Sequence, residues 1–195
     1  MDVERYRDTF RNQGYVFVPN ALESIDLGRV NSSYERMRRT TEAEWQQVVA
    51  DGSYKTKGVY GYGPAAHVML DIDRHDEVFL DLANNPKVIP ILDAVVGPDL
   101  QVTEMIAHCH PAGTDAHIEW HRDWPPWSHP TEVLKAKVFY YVENVEADMG
   151  CFSVVPGSHR WDWDPSEAPP KNGCESGEIY SGQTLENMPG CSMEN

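Results

Sequence analysis

Six consecutive residues, Glu119-Trp120-His121-Arg122-Asp123-Trp124, carry the densest chemistry in the chain. On an extended strand, side chains two apart leave the backbone on the same side, so His117, Glu119, His121 and Asp123 share one face and Ile118, Trp120 and Arg122 the other. An imidazole nitrogen and a carboxylate oxygen so placed form half of a metal site suited to Fe(II), Mn or Zn. In a 2-His-1-carboxylate triad such a pair leaves open positions for substrate and O₂. The bare spacing also fits a surface salt bridge or a hydrogen-bonded turn. About thirty residues on, Met149-Gly150-Cys151-Phe152-Ser153-Val154-Val155-Pro156-Gly157-Ser158-His159 runs a short apolar strand into a tight Pro-Gly turn.

The elements that must position these residues divide the chain in two. Val3, Tyr6 and Phe10 at helical spacing predict a helix over residues 2–12 that Gly14 ends, and Tyr15-Val16-Phe17-Val18 reads as a strand closed by Pro19. Ser24 is expected to cap a helix reaching Arg39, and Thr41 with Glu44 fits a capping box opening a second helix ahead of Trp45, Val48 and Val49. Residues 51–66, rich in Gly and Tyr, read as a long loop, and Pro86 and Gly97 bracket a buried helix through Val88–Val96. After Pro98 the pattern turns to β over 100–108, 116–123, 133–142 and 151–155. Residues 1–98 are therefore expected to be mainly helical, 99–160 a β core and 161–195 a loop, in one α+β domain whose helices pack outside an antiparallel sandwich or barrel.

Composition narrows the partners. The 195 residues are 41% hydrophobic with six Trp, enough for a buried core, and 16 basic against 31 acidic residues give a formal charge of −15. That charge opposes a nucleic-acid backbone or an anionic membrane surface as the main partner and leaves a small molecule as the expected one. No apolar run approaches the ~20 residues of a membrane span. Four cysteines without CxxC spacing and a start unlike a signal peptide lead to the expectation of free thiols in a cytoplasmic protein.

Taken in order, four blocks carry a resemblance: Phe10-x-x-x-Gly14-Tyr15-Val16-Phe17-Val18-Pro19-Asn20, Leu82-Ala83-Asn84-Asn85-Pro86 through Gly97-Pro98, Trp120-His121-Arg122-Asp123, and the turn Pro156-Gly157-Ser158-His159. In these the chain resembles the phytanoyl-CoA dioxygenase family, in which Trp-His-x-Asp precedes a Pro-Gly-Ser-His turn. The resemblance implies a double-stranded β-helix of jelly-roll or cupin-like form. It implies Fe(II) with 2-oxoglutarate and O₂ as co-substrates, and hydroxylation of a small or lipid-like molecule with succinate and CO₂ as co-products. His121 and Asp123 match the first two iron ligands. Phe139 matches an aromatic position lining the co-substrate pocket, against plain core packing on a β face. Trp124 and Trp127, flanking Pro125-Pro126, are expected either to wall an apolar substrate pocket or to cap the barrel end.

The family's third ligand, a second His, and the Arg that follows it lie on a late strand, and this sequence has no His after His159 and no Arg after Arg160. The expectation is a domain whose C-terminal strands are missing, so that this chain alone is inactive. The alternative is a non-catalytic binding protein on the same scaffold that has lost the third iron ligand. His108, His110 and His117 are possible substitutes, set against ordinary hydrogen-bonded histidines. His159 is expected to be a structural or pocket-rim hydrogen-bonder.

Overall fold

The computed structural model describes residues 1–53, 66–113, 133 and 135–146, with Met149, Phe152, Val154, Pro156, Gly157 and His159. Within these the chain is a mixed helix and strand structure: α1 (Val3–Gln13), α2 (Leu27–Ala50), β1 (His67–Met69), α3 (Ile72–His75), α4 (Val78–Ala83), α5 (Ile89–Val96) and β2 (Ala107–Cys109).

Both ends of α1 follow from the local sequence. Asp2 Oδ1 accepts from the Arg5 N–H at 3.0 Å, and Gly14 enters the left-handed region at φ 85° while its N–H closes onto the Phe10 carbonyl. Helix α2 departs from expectation twice. Its cap is Asp26, which accepts from the Arg29 N–H at 3.1 Å, rather than Ser24. It also runs unbroken through the capping-box pattern at Thr41. There the Thr41 hydroxyl bonds back to the Met37 carbonyl at 2.9 Å, and Arg38 pairs with Glu35 one turn before it and Glu42 one turn after it, so the helix continues.

The expected strand at 15–18 is another correction. Residues 15–18 form no strand, and Phe17 stands 78% exposed. Likewise only Ala107 and His108 of the expected 100–108 strand are paired, in a strand β2 that runs on to Cys109. It runs antiparallel to β1 in the register His67 to Cys109, Val68 to His108 and Met69 to Ala107.

The core forms where α2, α4 and this antiparallel pair meet. Val30, Met37, Met69, Ile72, Val78, Phe79 and Leu82 make one buried cluster, with Met105, Ala107, Cys109, Tyr140 and Val142 packed against it. Polar ties fix its rim. Asp76 accepts from Ser33 and Arg36, each at 2.5 Å, and from the Val78 N–H. These donors, the Ser33 hydroxyl first, hold its carboxyl below the usual carboxylate range. Asn85, 0% exposed, donates to the Ala21 carbonyl at 2.8 Å and accepts from the Lys87 N–H at 2.9 Å, joining the α4–α5 turn to the loop before α2. Helix α5 ends at Gly97 as its sequence predicts and packs against α1.

Candidate functional site

Two side-chain groups stand out among the described residues. The first lies between α2 and the β1–β2 pair. His67, 2% exposed, stacks on Trp45 with ring centroids 5.2 Å apart and planes 15° from parallel. Its Nε2 lies 2.9 Å from Thr41 Oγ1; since that hydroxyl donates to Met37, the imidazole must donate, which assigns the Nε2–H tautomer. Burial lowers the His67 pKa, Arg38 lowers it further, and Glu42 opposes the shift. Tyr34 donates to the His108 carbonyl at 3.2 Å; burial and then its contact with Cys109 raise its pKa, so the phenol stays protonated. The sequence reading missed this group. Its only signal was the apolar run Val68-Met69-Leu70 directly after His67 and the Gly-rich stretch.

A neutral buried imidazole makes stability depend on pH. With the folded pKa below the unfolded value near 6.5, the unfolded chain binds the extra proton, so stability falls as pH drops through 6.5 toward the folded pKa. His108, lowered by desolvation and then by His110 and Lys137, acts in the same direction. The urea midpoint should therefore fall between about pH 7.5 and pH 5. The fall should shrink in His67→Gln and shrink again in the His67→Gln, His108→Gln double variant. An unchanged slope in His67→Gln would remove His67 from this account.

The second group lies along residues 135–142. Tyr140 and Val142 turn to the core, the Tyr140 hydroxyl donating to the Leu82 carbonyl at 3.1 Å. Phe139 and Tyr141 turn outward, the period-two alternation of an extended chain. Phe139 is 54% exposed and stacks on Phe152 at 4.4 Å between centroids and 27° between planes, while the Phe152 N–H donates to the Tyr141 hydroxyl at 2.6 Å. Lys135 reaches Glu104 at 3.9 Å.

His121, Asp123, Trp124, Trp127 and His117 lie outside the described residues. The rings of His108 on β2 and His110 just beyond it have centroids 6.3 Å apart, tilted by 42°. Lys137 is near enough to His108 to lower its pKa, which disfavours a cation there. Among the described residues no group of three or more His, Cys, Asp or Glu side chains is placed to hold a metal ion, and no helix is long and apolar enough to cross a membrane. His159 is the hydrogen-bonder its position suggested: its Nε2 lies 3.1 Å from the Arg11 carbonyl.

Comparison with known proteins adds the wider frame. The family model described as phytanoyl-CoA dioxygenase (PhyH) matches residues 10–184. The chain is 24% identical over 156 residues to an ectoine dioxygenase of Stutzerimonas stutzeri (strain A1501), covering 78% of this chain and 49% of that protein. It is 22% identical over 170 residues to a peroxisomal phytanoyl-CoA dioxygenase of Rattus norvegicus, covering 84% of this chain and 49% of that protein. The chain thus spans about half the length of the curated relatives it matches. No solved structure matches it.

Proposed function

The chain belongs to the phytanoyl-CoA dioxygenase family, and from that premise we propose that it is part of an Fe(II)- and 2-oxoglutarate-dependent dioxygenase that hydroxylates a small or lipid-like molecule. The observation that carries the proposal is the family match over residues 10–184, within which His121-x-Asp123 and the Pro156–His159 turn fall in the family's order. The named activities of the two relatives, on ectoine and on a phytanoyl thioester, support the substrate class.

The donor set fits the metal. A neutral imidazole and a carboxylate suit Fe(II), and both sit in a strongly acidic chain that favours a cation. His121 and Asp123 would hold it. When bound with 2-oxoglutarate and O₂, the iron supplies the oxidising chemistry, with succinate and CO₂ as co-products. The protein's part is to orient and to exclude water. In this reading the outward ring of Phe139, backed by Phe152, lines the 2-oxoglutarate pocket. Trp124 and Trp127 wall the substrate side.

Two protein donors fall short of the three in a facial triad. Since the chain covers about half of each relative, turnover is proposed for the whole protein and these 195 residues alone are proposed to be inactive. The β core is proposed to be a double-stranded β-helix within a single domain. A cytoplasmic location is proposed from the cysteine pattern.

Anaerobic Fe(II) titration with 2-oxoglutarate tests the reading. A visible charge-transfer band that requires both components is the expected result. A band absent from the whole protein as well would replace the oxygenase reading with the binding-protein one.

A further inference from the structure

The last four carbonyls of an α-helix have no partner within it. In α1 two of them are satisfied from far along the chain: the Gly157 N–H donates to the Gln13 carbonyl at 2.7 Å, and His159 Nε2 donates to the Arg11 carbonyl at 3.1 Å. Directly after Gln13 comes Gly14, at φ 85°, where a Cβ would lie 2.8 Å from His159 Cγ and closer still to Nδ1. Only glycine satisfies both demands, the left-handed backbone and the imidazole against it. Five residues before Gly157, Phe152 stacks on Phe139 and bonds to Tyr141. Gly157 and His159 are therefore held by α1, and Phe152, a few residues before them, by the aromatic pair.

We propose that His159 is a positioning residue: with Gly157 it fastens the Pro-Gly turn to the C-terminus of α1, and through Phe152 it sets the Phe139 ring. The consequence for 2-oxoglutarate rests on the function proposed above, whereas the fastening itself does not. It makes α1 an integral support of the site rather than a detachable extension, since the turn takes its anchor from carbonyls that only the finished helix end presents.

Two measurements separate these layers. Amide exchange at Gly157 reads the fastening without metal. His159→Ala should speed it roughly five- to tenfold, about the worth of one hydrogen bond, while His159→Gln, whose amide can still donate to Arg11, should restore most of the protection. In the Fe(II)-loaded whole protein, 2-oxoglutarate should bind severalfold more weakly in His159→Ala and recover in His159→Gln. Unchanged Gly157 exchange in His159→Ala overturns the fastening. Faster exchange with unaltered 2-oxoglutarate binding overturns the positioning role. Faster exchange with no chelation even in the parent overturns the oxygenase reading instead. If His159→Ala folds poorly, Gly14→Ala provides the second route: it should destabilise the parent more than it destabilises His159→Gly, and equal effects in the two backgrounds would show that the imidazole does not occupy the space above Gly14.

Discussion

Replacing His121 by Ala is expected to erase the Fe(II)-dependent binding of 2-oxoglutarate, with a loss of metal affinity greater than ~100-fold. Groups that merely orient a ligand cost ~10–100-fold when removed, and His121 is proposed as a ligand itself. Asp123→Asn should be nearly as damaging, since the amide keeps the carboxylate's shape and loses its charge. The useful control is His108→Gln with His110→Gln. Their rings are 6.3 Å apart and the adjacent Lys137 opposes a cation, so metal affinity should stay within ~2-fold of the parent. Anaerobic titration of each variant reads all three. Binding that survives in His121→Ala and disappears in the β2 double variant would move the metal to that strand and remove the family's ligand pattern from this chain.

What the sequence could reveal of the fold followed from how local each cause is. Helix α1 was readable because Val3, Tyr6 and Phe10 share a stripe and Gly14 stops it; α5 was readable because Gly97 closes it. The unbroken run of α2 was not. A Thr followed three residues later by Glu is the same string whether the hydroxyl caps a new helix or bonds back into an old one, and the choice is made by Met37, His67 and the Arg38 ion pairs. Helices α3 and α4 and strand β1, three to six residues each, are too short to show a period. At the site the residue types were legible and their neighbours were not. Nothing within reach of Phe139 in the sequence names Phe152 as its partner, and nothing near His159 names Arg11, 148 positions away.

Phe79→Ala should destabilise the fold by about 3–5 kcal/mol, the usual cost of emptying a fully packed aromatic position. Phe79 is 2% exposed, and its cluster joins α2, β1, α3 and α4 in one contiguous unit, so the space left behind has no single flexible neighbour to fill it. Against a total of ~5–15 kcal/mol for a domain, that is a large share of the stability. Phe79→Leu, which keeps most of the volume, should cost much less. Phe17→Ala sets the baseline: with Phe17 78% exposed, its loss should stay within ~0.5 kcal/mol. Urea denaturation orders the three, and equal midpoints for Phe79→Ala and Phe17→Ala would remove this cluster as the organising core. The consequence reaches the candidate site through Tyr140. That ring packs on the cluster and its hydroxyl is tied to the Leu82 carbonyl three residues after Phe79, while the next residue on either side, Phe139 or Tyr141, faces outward to meet Phe152. A core loosened at Phe79 therefore releases the backbone that aims Phe139, and the exchange rate of the Phe152 N–H, which the Tyr141 hydroxyl protects, should rise with it.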